Sequence, residues 1–165
     1  MDRRRTQPVT LRVSLTTQEL AVWRGAELVK TYTVSTSKHG AGERHGSHQT
    51  PRGRHVVRAR IGTGAPVGAV FRGRRPTGEI YTSALAAAQP GRDWILTRIL
   101  WLSGTEIGKN RLGLVDTMRR YIYIHGMPDT EPVGVPGSIG CIRMRNRDVV
   151  ELFDLVPAGT IVDIV

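Results

Sequence analysis

The sequence predicts a single, mostly β domain with one short helix close to its C-terminal end. Nineteen glycines and nine prolines among 165 residues indicate many turns, which favour short strands over long helices. Several segments alternate apolar and polar residues as half-buried strands do, and only one repeats apolar residues at helical spacing. A chain of this length can bury one sizeable core. We therefore assign residues 1–165 to one domain and expect residues 1–8 to be flexible.

The first three predicted strands form an antiparallel meander, because only short turns separate them. They cover residues 9–15, 18–23 and 27–35. Residues 36–53 are rich in serine, glycine and histidine and are expected to form a long surface loop. Further strands are predicted at residues 55–61, 94–102, 119–125 and 160–165. A short buried helix is the alternative for the second of these, but its β-branched and aromatic side chains favour a strand.

The predicted helix covers residues 146–156, shortly after the only cysteine. Asn146 is expected to cap it, and Asp148 favours its positive end. Pro157 and Gly159 end it. Residues 69–91 show no pattern that assigns them to an element.

The formal charge of +10 would attract any polyanion, including nucleic acid, anionic lipid and acidic glycan fragments. The arginines are scattered, however, and are locally dense only at residues 3–5 and 72–75. Aromatic residues make up 5% of the chain, with no aromatic-rich stacking motif. We therefore predict no nucleic-acid partner and infer no obligate protein partner. A non-enzymatic polyanion-binding module is the remote alternative. No apolar run approaches the roughly 18 residues of a membrane span.

Three histidines of the long loop, His39, His45 and His48, raise the question of a zinc site. A zinc ion needs three or four convergent ligands, and no second cysteine or acidic pair accompanies these histidines. We predict that they are solvated and that the protein uses neither a metal nor another cofactor.

Cys141 is the only cysteine, so the fold contains no internal disulfide. His125 stands sixteen residues before it, at the end of the strand predicted for residues 119–125. A thiol with a neighbouring base is what nucleophilic thiol catalysis requires. A buried inert thiol and a structural histidine are the alternatives.

The segments around these two residues resemble the YkuD-type L,D-transpeptidase catalytic domain. The resemblance covers nearly the whole chain and implies a YkuD-like β-sandwich. The motifs that carry it are Ile124-His125-Gly126, Ser138-x-Gly140-Cys141-Ile142-Arg143-Met144, Val156-Pro157-x-Gly159-Thr160, Gln18-x-Leu20, Tyr32-x-Val34-Ser35-Thr36 and Thr50-Pro51-x-Gly53.

The resemblance implies a role for each residue of the site. Cys141 would be the nucleophile that forms a thioester, and His125 would take its proton and later protonate the leaving amine. The backbone carbonyl of Gly126 would orient the imidazole. The N–H groups of Gly140 and Cys141 would form an oxyanion hole.

Arg143 would hold a substrate carboxylate or raise the thiolate fraction, and a fold-supporting ion pair is its alternative role. Ser138 and Tyr123 are further candidates for lining the site. Position 139 is isoleucine where many family members carry a second histidine, which weakens the inference of their substrate handling for this chain and leaves the roles of Cys141 and His125 unchanged.

The substrate that the resemblance implies is a peptidoglycan tetrapeptide or muropeptide, cleaved between the L-centre of meso-diaminopimelate and D-alanine. Water as acceptor makes the enzyme an L,D-carboxypeptidase, whereas an amine acceptor makes it an L,D-transpeptidase that forms 3→3 cross-links. No apolar segment follows Arg3-Arg4-Arg5, which predicts a cytoplasmic location, or a periplasmic one if an export signal has been removed. A cytoplasmic location favours the L,D-carboxypeptidase of murein recycling.

Overall fold

Ten strands and two α-helices make up the ordered elements of the described chain. The computed structural model describes Arg3 and residues 7–165. Most of the segment expected to be flexible, residues 1, 2 and 4–6, therefore lies outside the described residues. The strands are β1 Val9–Ser14, β2 Glu19–Arg24, β3 Glu27–Ser35, β4 Gly53–Ile61, β5 Ala69–Arg72, β6 Arg75–Ile80, β7 Ile95–Gly104, β8 Tyr123–Met127, β9 Ile142–Arg145 and β10 Ile161–Ile164. The helices are α1 Ser83–Ala88 and α2 Asn146–Leu155, and a 3₁₀ turn covers Gly113–Val115. None of the helices described is long and apolar enough to cross a membrane.

Eight of the strands form a closed hydrogen-bonded circuit in the order β4-β10-β1-β2-β3-β9-β8-β7, because β7 also pairs with β4. The β5–β6 hairpin extends the sheet from β7. Two pairs of neighbouring strands are parallel, β1 with β10 and β8 with β9, and the other pairs are antiparallel. The predicted mostly β fold with a short helix after the cysteine is confirmed.

Alternating side chains of this circuit fill the main core, and α2 packs against it. Strand residues such as Leu11, Leu20 and Ile124 are buried there together with Leu152 and Phe153 of α2. Each buried side chain of this size contributes about 1.5–3 kcal/mol to folding. The amphipathic pattern predicted for residues 146–156 is therefore what attaches α2 to the strands behind the cysteine.

The predicted meander is confirmed as β1–β3, and the strands predicted at residues 55–61, 94–102 and 160–165 are confirmed as β4, β7 and β10. The strand predicted for residues 119–125 is wrong at its start, because β8 begins at Tyr123. The Asp116 carboxylate accepts hydrogen bonds from the N–H groups of Leu112 and Arg119, which holds that segment in turns. Tyr121 ends the turns with φ of 56°. His125 consequently lies in the middle of β8.

The predicted helix is confirmed as α2, but the capping role of Asn146 is wrong. Arg145 occupies the N-cap position, with no side-chain cap, and Asn146 is the first helical residue. The Asn146 side chain is buried instead, where its Oδ1 accepts a 2.6 Å hydrogen bond from Thr97 Oγ1. Helix α1, which no pattern predicted, is capped by Thr82.

A bulge in β7 lies where this strand contacts both Asn146 and β8, the strand that carries His125. Thr97 has φ of 74°, a costly backbone conformation for a β-branched residue, and the β7–β8 register shifts there. Thr97 Oγ1 also accepts the N–H of Gly68 at 3.0 Å. A Cβ on Gly126 would lie 2.6 Å from the carbonyl oxygen of Leu96. Only glycine therefore fits beside His125 at this position.

Candidate active site

The parallel pairing of β8 and β9 brings the predicted histidine and cysteine to the same place. His125 is the register partner of Arg143, and Cys141 directly precedes β9. The N–H of Tyr123 donates to Cys141 Sγ at 3.3 Å. His125 and Tyr123 are two residues apart on one strand, so their side chains share a face of the sheet. The long loop between the two strands thus leaves the pair adjacent in space.

His125 is held as a neutral base. The ring is 1% exposed, and its Nδ1–H donates to the carbonyl oxygen of Gly126 at 2.6 Å. This bond leaves Nε2 as the ring's acceptor in the neutral form. Nε2 is buried and has no hydrogen-bond partner among residues 7–165. Burial lowers the pKa of His125, although the Asp93 carboxylate and the Gly126 carbonyl oppose that effect. The carbonyl orientation implied for Gly126 is therefore present in the structure.

Cys141 is a thiol at rest. Its Sγ contacts the Tyr121 carbonyl oxygen at 3.4 Å as a donor and accepts the Tyr123 N–H. Burial raises the pKa of Cys141 to about 12, although the Tyr123 N–H favours the thiolate. A neutral thiol beside a neutral imidazole must transfer its proton during attack on a substrate. The described residues show no thiol–imidazole hydrogen bond, so this bond has to form when substrate binds.

Ser138 shapes the turn before the cysteine. Its Oγ donates to the carbonyl oxygen of Cys141 at 2.5 Å and accepts the N–H of Gly140 at 3.2 Å. Gly140 has φ of 133°, which favours glycine. Because the Gly140 N–H is engaged by Ser138, the Cys141 N–H is the better placed of the two predicted oxyanion donors. Ser138 does not line the cleft beside the thiol.

A buried threonine of the long loop supports the same turn. Thr50 Oγ1 donates to the carbonyl oxygen of Gly140 at 2.9 Å and accepts the N–H of Ser37 at 3.0 Å. Lys38 N–H donates to the carbonyl oxygen of Ser138 at 2.9 Å. The loop predicted for residues 36–53 is thus fastened to the cysteine turn, and Thr50 of the Thr50-Pro51-x-Gly53 motif is its central contact.

Cys141 opens into a cleft of about 540 Å³, and Tyr123 is one of the residues that line it. The charged residues of its wall are Arg74, Arg120 and Asp93, none of which the sequence identified as site residues. The dense arginines at residues 72–75 were the available indication for the first. The other two reach the cleft only through the fold.

Arg143 does not line this cleft. Its Nη1 pairs with the Glu131 carboxylate at 2.8 Å, and its side chain is 11% exposed. This is the ion pair considered as its alternative role. The positive charge of Arg143 nevertheless lowers the pKa of both Cys141 and His125. Its contribution to thiolate formation therefore has a physical basis, and carboxylate binding by Arg143 stays a prediction.

The three loop histidines are exposed, and His48 lines the cleft near Ile139. The rings of His39 and His48 lie 6.1 Å apart. No group of three or more histidine, cysteine or carboxylate side chains that could hold a metal ion occurs in the part of the chain that the structure describes.

Comparison with known proteins adds to this geometry. The family model for the L,D-transpeptidase catalytic domain, YkuD, matches residues 8–164. A putative L,D-transpeptidase YkuD of Bacillus licheniformis is 31% identical over 160 residues, which cover 96% of this chain and 67% of the relative.

Solved structures show the same fold at low sequence identity. An L,D-transpeptidase from Mycobacterium smegmatis has a TM-score of 0.56 and 18% identity over 95% of this chain and 58% of its own. An Enterococcus faecium L,D-transpeptidase has a TM-score of 0.58 and 15% identity over 96% of this chain and 50% of its own. The chain therefore spans 58% and 50% of the lengths of these two proteins.

Proposed function

Because the chain belongs to the L,D-transpeptidase catalytic domain (YkuD) family, we propose that it is a cysteine-dependent acyl-transfer enzyme acting on peptidoglycan peptide stems. The observation that carries the proposal is the state of His125. Its Nδ1 is fixed by the carbonyl oxygen of Gly126, and its buried Nε2 has no partner among the described residues. The ring belongs to β8, which pairs with the strand that follows Cys141. An unsatisfied buried acceptor next to a thiol is suited to receive the proton of that thiol.

The proposed reaction uses the two residues in sequence. As substrate binds, the thiol proton moves to His125 Nε2 and sulfur attacks the carbonyl carbon at the L-centre of meso-diaminopimelate. The Cys141 N–H donates to the developing oxyanion. The C–N bond to D-alanine then breaks, and His125 returns the proton to the leaving amine. A thioester on Cys141 is left for the second step.

Hydrolysis is the second step that we propose, which makes the protein an L,D-carboxypeptidase. The cleft of about 540 Å³ has the volume of a site for one ligand of modest size. A water molecule needs only about 30 Å³ beside a bound stem. We further propose cytoplasmic murein recycling as the setting, since recycled tetrapeptides present the L,D bond without a neighbouring stem to receive the acyl group.

Transfer to an amine is the second candidate, and Asp93 favours it. A further pocket of about 320 Å³ adjoins the cleft, and both are lined by Gly73, Asp93 and Ile95. A carboxylate at this junction would attract the ammonium group of an acceptor stem. An acceptor held there would make the enzyme an L,D-transpeptidase that forms 3→3 cross-links.

Product analysis separates the two reactions. The protein is incubated with disaccharide-tetrapeptide, and the products are followed by mass, with Cys141→Ala as the inactive control. Tripeptide and free D-alanine as the main products support hydrolysis, whereas cross-linked dimers would replace it with transfer. Full activity of Cys141→Ala would refute thiol catalysis. Salt-sensitive nucleic-acid binding, unchanged in Cys141→Ala and without any turnover, would favour the polyanion-binding alternative.

A further inference from the structure

The turn of the β5–β6 hairpin places an arginine in an unusual backbone conformation beside the cleft. Gly73 and Arg74 connect the two strands and have φ of 55° and 64°. Two positive φ values are typical of a tight hairpin turn, in which glycine or asparagine is relaxed and a longer side chain is not. The hairpin therefore holds Arg74 in a strained conformation of the kind that accumulates at functional sites.

Aromatic rings fix the guanidinium group of Arg74. Its Cζ lies 4.7 Å from the ring centre of Trp101 and 4.8 Å from that of Tyr121, and Nη1 donates to the Tyr123 hydroxyl at 3.0 Å. Both tyrosines line the cleft together with Cys141. A guanidinium group has five N–H donors, and one of them is in a hydrogen bond within residues 7–165. Arg74 is thus oriented in advance and keeps donors for a ligand.

The other arginines near Cys141 have structural partners. Arg120 also lines the cleft, but its guanidinium donates to the carbonyl oxygens of Gly42 and Gln49 and to Ser47 Oγ. Arg143 is paired with Glu131 and does not line the cleft. Of the two arginines in the cleft wall, Arg74 therefore keeps more donors for an anion, because one of its five N–H groups is engaged against three of those of Arg120.

We propose that Arg74 binds a carboxylate of the substrate, either the terminal carboxylate of D-alanine or the D-centre carboxylate of meso-diaminopimelate. The inference rests on the proposed function, because the ligand belongs to the same cleft. Arginine binds a carboxylate through two parallel N–H donors, and stacking on aromatic rings reduces the freedom lost on binding. Carboxylate binding is also one of the roles that the sequence analysis considered for Arg143.

The test uses two variants of Arg74 and a matched control in the same hairpin. Arg74→Asn removes the guanidinium and tolerates the positive φ, so the turn is retained. Arg74→Lys keeps the charge without the two-donor geometry. Arg75→Asn removes the same charge from the neighbouring exposed residue, which does not line the cleft. The midpoint of urea unfolding checks that each variant is folded, because loss of the Arg74–Trp101 contact would itself change the near-ultraviolet circular dichroism.

Three tetrapeptides identify the carboxylate: the free acid, the D-alanine amide and the peptide amidated at the D-centre. For the free acid, Arg74→Asn should lower kcat/KM about 10- to 100-fold through KM, as expected for a hydrogen bond to a charged group. The kcat/KM of Arg74→Lys should lie between those of Arg74→Asn and the wild type, and that of Arg75→Asn should stay within about threefold of the wild type. One of the two amides should have a lower kcat/KM than the free acid with the wild type. With that same amide, Arg74→Asn should cause no further loss. The group amidated in that peptide is then the carboxylate that Arg74 binds. Equal losses in Arg74→Asn and Arg75→Asn, or the same loss with all three peptides, would overturn the proposal.

Calorimetry in the Cys141→Ala background tests binding without turnover. The free acid should bind about tenfold or more tightly than one of the amides, and Arg74→Asn should abolish the difference. Such binding without any cleavage by the wild type would refute the proposed reaction and support the role of Arg74. Cleavage by the wild type with no Arg74-dependent preference would support the proposed reaction and refute the role of Arg74. Absence of both cleavage and preferential binding would refute both proposals.

Discussion

Thr50 offers a direct test of how the long loop supports the cysteine turn. Its hydroxyl donates to the carbonyl oxygen of Gly140 and accepts the N–H of Ser37, and both bonds are buried. Thr50→Val keeps the shape of the side chain and removes both bonds, leaving two buried backbone groups without this partner. At about 1–1.5 kcal/mol for each bond, the free energy of unfolding should fall by about 2–3 kcal/mol.

Urea denaturation followed by tryptophan fluorescence measures this loss, which corresponds to a midpoint lower by about 1–2 M. Activity should fall as well, because the Gly140–Cys141 peptide loses one of its supports and is held by Ser138 alone among these side chains. Thr50→Ser, which keeps the hydroxyl, should lose less than half as much stability. Thr31→Val, at an exposed position of β3, controls for the exchange itself. A Thr50→Val midpoint within 0.3 M of the Thr31→Val control, roughly 0.5 kcal/mol, would show that Thr50 does not organise the turn.

Three further predictions concern the site and its pH dependence. Gly126→Ala should lower stability by about 2–4 kcal/mol, because its Cβ meets the Leu96 carbonyl oxygen and Asn146; a thermal midpoint equal to that of the wild type would contradict this. Burial lowers the pKa of His55 to about 4, so its contribution to stability is complete above pH 6.5 and lost as the pH falls towards 4. Urea unfolding at pH 4.5 should show about 2–3 kcal/mol less stability than at pH 7, with a smaller difference in His55→Gln. Since burial raises the pKa of Cys141 to about 12, iodoacetamide labelling should accelerate about tenfold per pH unit between pH 7 and 9, and a plateau in that range would indicate a resting thiolate.

Local pattern predicted most of the strands because their alternation reflects which face each residue buries. It failed where a side chain competes with the strand, as Asp116 does by holding the N–H groups of Leu112 and Arg119. It also gave no sign of the bulge at Thr97, where a positive φ accompanies hydrogen bonds with Gly68 and Asn146. Such contacts join residues remote in the chain, and the sequence pattern carries no information on them.

The chemistry of the candidate site was easier to predict than its walls. Cys141, His125 and Gly126 belong to short motifs, and pairing of β8 with β9 brings them together. Arg74 and Asp93 come from a hairpin turn and a loop that reach the cleft only after β5 has paired with β7. No motif or regular residue spacing in the sequence marks Arg74 or Asp93 as part of the site. For Arg143 the sequence left open carboxylate binding, thiolate support and an ion pair, and the structure shows its ion pair with Glu131.

Intact-protein mass spectrometry after rapid acid quench tests thiol catalysis most directly. Mixed with tetrapeptide, the wild type should carry the mass of one tripeptide acyl group, and peptide mapping should locate it on Cys141. His125→Ala should form this adduct at least about 100-fold more slowly, and Cys141→Ala should form none. Release of D-alanine without an adduct on Cys141, or at an undiminished rate in Cys141→Ala, would contradict the thioester mechanism.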